Sequence, residues 1–570
     1  MYVRCVLLVV MFFIKLLDAQ SNEKPDITVF IAQNIITMNN DMPQAKAVAV
    51  KDGKILGVGT IESLRPWLER HSYEIDDRFK DDVILPGFIE AHMHPQVTGL
   101  LWQAVYVGHF DRHAPDGTPI KGLKTKQEAL DKIKDAVERK KKNGVKDGWV
   151  FAWGYQPEFF DNSPLTIDDL DPISAQFDVM VENASMHLYY VNSNVLKKMG
   201  VTPEMNITGV EVKNGKLTGV LKEIKALKRL LPYLPHSNLN VLERITRNAA
   251  QLAHRVGVTT MADAALGYIP AAYKAYQNET AKSDFPVRVV VFPEIDAVKE
   301  KGGISYLEQL HAQNNEMLAC GPVKFLIDGS VQGFTANLQW PYYLNGKNGI
   351  ANMSLNELKP DVLMIHKAGY QVAIHTNGNQ ATEDAIQAIK YALTAVPRLD
   401  HRHRLEHNQM VTENQLMRMK TFGIVTNLFV NHVYYWGDLY TDHILGYERS
   451  RRIDPAKSAL RHGVKFSFHS DASVTPVDPL KTVWIAVTRK TMSGKVLGPE
   501  QRISVYDALK AVTLDAAYLL FQDDKKGSIE VGKMADFAIL DKDPLAIDVD
   551  AIPKVKVKAT VLGGRIFLVK

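Results

Sequence analysis

Two histidines close an apolar run at residues 84–95, "ILPGFIEAHMHP". On a β-strand, side chains at i and i+2 share a side. His92 and His94 would then enter one small volume, and a neutral imidazole is the commonest side-chain metal ligand. A barrel strand ending this way offers a metal two ligands at its C-terminal mouth, although two histidines in a loop would read the same. Other apolar stretches end or pass through comparable residues: Lys324 in "GPVKFLIDGS", His375 in "YQVAIHTNGN", His407 in "RLEHNQM" and Asp471 in "VKFSFHSDASVTPVDPL". Imidazoles, a carboxylate and a lysine brought together suit zinc or a similar divalent ion. His469 stands two residues before Asp471, so it would face the same side as an extra ligand or substrate contact, or pack as a barrel histidine. His401 and His403 precede the strand that carries His407 and fall at the end away from the chemistry.

These residues need elements to deliver them. The centre of the chain alternates apolar strands with helical periodicity. Strands are expected at 83–94, 257–263, 287–295, 323–328, 370–375, 404–409, 423–429 and 464–471, with helices such as 382–394 and 413–420 between them. Repeated strand-then-helix with buried strands means a parallel sheet, and this count predicts an α/β fold with a (β/α)8 TIM barrel over 83–524. Active sites of that barrel lie at the C-terminal ends of its strands. Residues 96–237 are too many for a loop and form an inserted subdomain after barrel strand 1. Short alternating strands at 26–38, 45–50 and 54–58, with Asp52-Gly53 as a hairpin turn, match others at 527–531, 535–540, 559–562 and 566–569. The two ends, 22–82 and 525–570, therefore pair into a small composite β-sandwich.

Composition narrows the class. The 570 residues are 46% hydrophobic and 23% charged, which suits a large folded enzyme. A net charge of +4 gives no reason to expect nucleic acid as a partner. The "RKKK" run at 139–142 closes a charged amphipathic helix that starts near Gln127, and reads as a solvated helix end. Residues 1–19 combine Arg4, an apolar stretch and Asp18-Ala19 before polar sequence, the pattern of a secretory signal too short to span a membrane. An uncleaved anchor is the alternative reading. Cleavage predicts a secreted or periplasmic protein with no membrane span. Of the two cysteines, only Cys320 would remain, so no intrachain disulfide is expected. N-x-S/T sequons occur at Asn183, Asn206, Asn278 and Asn352.

The chain resembles the amidohydrolase superfamily, in particular amidohydrolase family 3, the YtcJ-like metal-dependent hydrolases. The resemblance covers nearly the whole chain and rests on "LPGFIEAHMHP", "MHLYYVNSNVLKKMGV", "GVLKE", "GVTTMAD", "VKFLIDGS", "HTNGNQA", "RLEHNQ", "SDASVTPVDPL" and "GSIEVGKMADFAIL". It implies that His92, His94 and Asp471 hold one metal and that His375 and His407 hold a second. It also implies that Lys324 is carboxylated and bridges them, giving one or two divalent ions in all, zinc first. A carbamate is anionic and offers two oxygens, which an arginine could not supply. A salt-bridged lysine, or an unmodified cation beside one metal, is the alternative for Lys324. The implied reaction is hydrolysis of a C–N bond of the amide type, or of a related ester or carbamate, in a small-molecule substrate. A bound metal lowers the pKa of water from 15.7 to about 7, and Asp471 would act as general base and then acid. His187 becomes a catalytic or substrate-contacting residue and Asn192 a substrate-binding one, with Glu223 also in the insertion. Family members usually carry Gly-Asp after the strand 5 histidine; here Gly378-Asn379 stands there, and Asn can still cap a helix. A one-metal deaminase on the same barrel is a rival, but Thr376 to Asn379 hold no acid where such enzymes place a Glu. A non-catalytic binding or regulatory relative is a second rival, and no metal ligand is missing to favour it.

Overall fold

The computed structural model describes residues 25–235 and 238–569. The signal-like segment at 1–19 and the final residues of the expected insertion, 236–237, lie outside the described residues.

Strands from both ends of the chain hydrogen-bond as one eight-stranded sheet. Ile27–Ile36, Gln44–Lys51 and Lys54–Gly59 form an antiparallel meander. Its hairpin turns at Asp52 (φ 50) and Gly53 (φ 77), two left-handed residues as a tight primed turn demands. Val83–Pro86 joins the ends: it lies beside Ile27–Ile36 on one edge and pairs antiparallel with Phe537–Leu540 on the other. Val557–Leu562 and Arg565–Leu568 complete the sheet. The expected strand at 527–531 is absent, because Gly527 (φ 92) and Gly532 (φ 88) hold left-handed backbone at both of its ends.

The expected first barrel strand, 83–94, is two strands. Pro86 offers no N–H to a ladder, and Gly87 turns its N–H to Asp536. A Cβ at Gly87 would stand 2.0 Å from Thr259 Oγ1, so the chain changes sheets where only glycine fits. From there, Phe88–Met93, Val258–Leu266, Arg288–Pro293 and Leu318–Cys320 form one parallel sheet. Val323–Leu326, Val372–Thr376, Arg404–His407, Val425–Leu428 and Phe466–Phe468 form a second, also parallel throughout. The fourth expected strand, 323–328, starts where the sequence indicates and stops at Leu326, and the short strand Leu318–Cys320 precedes it in the first sheet across Gly321-Pro322. A parallel bridge between Glu294 and Lys324 links the two sheets. At the opposite edge, His94 N–H donates to Ala472 O at 2.8 Å and Ser470 N–H to Glu90 at 2.9 Å.

Helices alternate with these strands, and the sequence starts and stops them. Glu413–Phe422 opens on a Thr412/Gln415 capping box and ends at Gly423 (φ 70). Asn379–Ala395 buries Ala381, Ala385, Ile386, Ala388, Ile389 and Ala392, the apolar stripe of a helix packed on a sheet. The segment between Phe88–Met93 and Val258–Leu266 holds its own six-stranded sheet. Helix Lys126–Lys142 packs beside it through Ala129, Ile133, Ala136 and Val137, leaving the basic run at its C-terminal end. No helix among the described residues is long and apolar enough to cross a membrane.

Candidate metal centre

The strand ends bring His92, His94, Lys324, His375, His407, His469 and Asp471 into one buried cluster. Unbroken alternation would not have aimed His92 there. Ile89 and Ala91 pack with Ala262, Val290 and Ala373, so His92 should point the other way. A register shift places an extra residue between Glu90 and Met93 opposite Met261 and Asp263, and this bulge re-aims the side chain. His407 (φ 61) and Asp471 (φ 50) are likewise redirected by left-handed backbone, a conformation that non-glycine residues keep mainly where the surroundings enforce it.

Donor atoms of His92, His94 and Asp471 lie within 4.8 Å of one another, as do those of His92, His407 and His469. His92 belongs to both groups. His407 Nδ1 is 2.9 Å from His469 Nε2 and 3.9 Å from Asp471 Oδ2. Lys324 Nζ is 3.4 Å from His92 Nε2. His375 joins neither group: its ring centroid is 4.5 Å from that of His407, while its Nε2 sits 3.2 Å from both Gly329 O and Asn377 Nδ2.

The charge states suit a cation. Burial, then the His187 and Lys324 charges, push His375 well below the usual imidazole range. Burial does the same to His407 and His469, reinforced by neighbouring imidazoles. All three are neutral, as metal ligands must be. Burial opposes the Asp471 charge, yet the surrounding cluster of histidines holds its carboxyl well below the ordinary range. Burial pulls Lys324 down to about 8, against the carboxylates of Glu406 and Asp471.

The tautomer of His92 tests the fit most sharply. Its Nδ1 contacts the Glu406 carboxylate, so Nδ1 carries the proton and, in the neutral ring, Nε2 keeps its lone pair. That lone pair lies 3.4 Å from Asp471 Oδ1, which is also 3.2 Å from His94 Nε2 and accepts no aligned hydrogen bond. Lys324 Nζ, 3.4 Å from His92 Nε2, meets that lone pair but leaves Asp471 Oδ1 without a partner, and a cation between the two acceptors would satisfy both. A carboxylate behind the ring nitrogen that faces away is the usual support of a metal-bound histidine.

Glu406 was not among the residues singled out from sequence. It is fully buried, receives Arg404 Nη2 at 3.0 Å and Asn427 Nδ2 at 3.1 Å, and fixes His92. The i, i+2 spacing of Arg404 and Glu406 on an apolar strand was the available signal. Asp328 was also missed. Its carboxylate accepts N–H groups of Asn337, Asn377 and Gly378 at 2.8–3.1 Å and so sets the turn after His375. Asn379 consequently is not the helix cap; it is the first helical residue, and its amide is spent on Gln339.

The insertion contributes His187, whose Nδ1 lies 3.1 Å from Glu223 and whose ring is 5.2 Å from that of His375. Burial disfavours its charge, but Glu223 outweighs burial and raises its pKa. Asn192 is a correction. It caps helix Ser193–Lys198, donates to Phe177 O at 2.9 Å and accepts from Val179 N–H at 3.2 Å, so its amide has no capacity left for substrate. His401 and His403 lie before the Arg404–His407 strand, at its opposite end. Tyr155, Phe160 and Trp436 are core residues.

The model described as "Amidohydrolase family" matches residues 80–568. The chain belongs to the amidohydrolase family. YtcJ of Bacillus subtilis (strain 168), named as an amidohydrolase, is 28% identical over 550 residues, covering 93% of this chain and 97% of the relative. The N-substituted formamide deformylase of Arthrobacter pascens is 26% identical over 560 residues, covering 94% and 97%. A metal-dependent hydrolase of Pyrococcus horikoshii OT3 superposes with a TM-score of 0.71 at 21% identity, covering 92% of this chain and 99% of that one. That likeness shows the fold.

Proposed function

We propose that this chain is a metal-dependent hydrolase that cleaves a C–N bond of the amide type in a small molecule, with related carbamates or esters as secondary substrates. The reading carries with it a closed (β/α)8 barrel, in which the two parallel sheets share one interior. The supporting observation is the meeting of the His92 lone pair, His94 and the ionised Asp471 at one buried point. These three residues would hold a divalent ion, zinc by donor type. His375 and His407 would hold a second ion, with Lys324 as a carbamate between the two. When bound, such an ion supplies Lewis acidity and a more acidic water.

The side chains supply the rest. Asp471, ionised, takes the proton of the attacking water at Oδ2, the oxygen turned away from His92 and His94. It then delivers that proton to the departing nitrogen, so amide and water become acid and amine. His187, kept protonatable by Glu223, donates a hydrogen bond to the scissile carbonyl oxygen. Glu406 keeps His92 in one tautomer throughout. The formamide deformylase among the relatives favours acylated or formylated amines as the first substrates to try.

The test is release of amine from a panel of N-formyl and N-acyl amines, carbamates and esters by zinc-loaded protein. Activity should vanish with a chelator, and Asp471→Asn should lower it roughly 10²–10⁴-fold. Loaded protein that is inert on every C–N substrate, or turnover indifferent to chelation, would end the proposal. The intact mass of native protein, heavier by one carbon dioxide and normal in Lys324→Arg, tests the carbamate separately.

A further inference from the structure

A cavity of about 280 Å³ lies behind the turn that follows Asp471, walled in part by Ala472, Ser473, Trp102 and Val477. Arg112 and Thr98 line it, and each holds a buried polar atom with no hydrogen-bond partner: Arg112 Nε and Thr98 Oγ1. Arg112 is only 4% exposed. Its remaining contacts are uncharged: Nη2 donates to Val474 O at 2.9 Å, and the guanidinium lies over Trp153 and Tyr106. Among the described residues it forms no ion pair. A buried charge without a counter-charge is costly, and proteins ordinarily pair it.

The nearest acid in the wall does not meet this need. Asp478 is turned to the start of helix Pro479–Thr488, where it accepts Lys481 N–H at 3.0 Å. A second guanidinium, Arg255, lines the same cavity. The volume falls just under the roughly 300–1,000 Å³ of drug-sized sites, which suits a small ligand. We propose that this cavity binds a small organic carboxylate. Its anionic head sits on Arg112 and Thr98, and its apolar body lies against Trp102 and Val477. Arginine matches a carboxylate in geometry as well as charge. The ligand rests on Ala472, whose carbonyl accepts the His94 N–H, so its occupancy bears on the turn that carries Asp471.

Benzoate is the probe, titrated against the full-length protein by thermal shift and calorimetry. Benzamide and chloride are controls for shape and for charge, and the titration is run with and without a chelator. The expected result is saturable benzoate binding that survives chelation and is absent with benzamide and chloride. Arg112→Met should weaken it by about tenfold or more, the scale of a lost charge-assisted hydrogen bond. Val477→Trp, which keeps the guanidinium and fills the cavity, should weaken it as well, so the proposal does not hang on one variant's folding. Absence of saturable binding, equal binding of benzamide or chloride, loss of binding on chelation, or full retention in both variants would each overturn it.

Discussion

Replacing Glu406 by Gln separates what holds the centre together from what would do chemistry there. The carboxylate is fully buried and is shared by Arg404, Asn427 and His92 Nδ1. Glutamine keeps the size but removes the charge, and its NH2 must face either the guanidinium or the His92 N–H. Breaking a buried pair from one side costs about 3–5 kcal/mol, because the other charge stays buried. Loss of the carboxylate behind a metal-bound histidine costs roughly 10–100-fold in metal affinity. The first quantity is read from denaturant unfolding of metal-free protein, the second from competition with a chromophoric chelator. The double variant Arg404→Met/Glu406→Gln divides the two effects. It removes the stranded guanidinium and should regain much of the stability, yet it leaves His92 without its charged acceptor and should not regain the affinity. An apo Glu406→Gln protein as stable as the wild type would refute the buried-pair argument. Unchanged metal affinity in that variant would refute the claim that Glu406 orients His92.

Other expectations follow from the same structure. Saturating zinc should raise unfolding stability by about 2.7 kcal/mol at 100 times its dissociation constant; a melting temperature that neither zinc nor chelator moves would contradict a metal centre. At the other end of the Arg404–His407 strand, His403 Nδ1 accepts Val372 N–H, its Nε2–H donates to His366 Nδ1 at 2.8 Å, and His366 Nε2–H donates to Val396 O at 2.7 Å. Both rings must be neutral for this chain of bonds, and burial lowers both pKa values, that of His403 strongly. The stability they contribute is therefore full above the unfolded value near 6.5 and is lost as pH falls below it. Urea midpoints between about pH 8 and about pH 5 should drop less steeply in His366→Leu than in wild type, and equal slopes would exclude the relay as the cause. If the N-terminal segment directs the chain through a glycosylating pathway, Asn206 should carry the glycan. It is exposed, whereas the amides of Asn183, Asn278 and Asn352 donate to Tyr190, Glu243 and Glu223. Peptide mass spectrometry before and after glycosidase treatment decides the site, and occupancy at Asn183 would contradict the fold around it.

Much of the centre was legible because period-two patterning survives where strands are regular. Lys324 and His375 lie on the paired, unbroken strands Val323–Leu326 and Val372–Thr376, and alternation alone sends them to the same face of the sheet. The helices between strands were legible too, since apolar spacing and cap residues mark them. Sequence spacing brought His92, His407 and Asp471 together for an incomplete reason. Each lies where the strand stops obeying its period: a bulge at His92 and left-handed backbone at His407 and Asp471. Those departures are fixed by contacts from other strands, so no local pattern records them. The same holds for Glu406, whose meaning depends on His92, more than three hundred residues away in sequence. Asn192 failed in the opposite direction. Its motif was read as functional, yet an Asn before a short helix is first of all a cap, and the backbone groups around it consume the whole amide. Ligand candidates were thus readable where chemistry and periodicity coincide. Positioning residues were not, because a buried carboxylate declares its role only through the partner it faces.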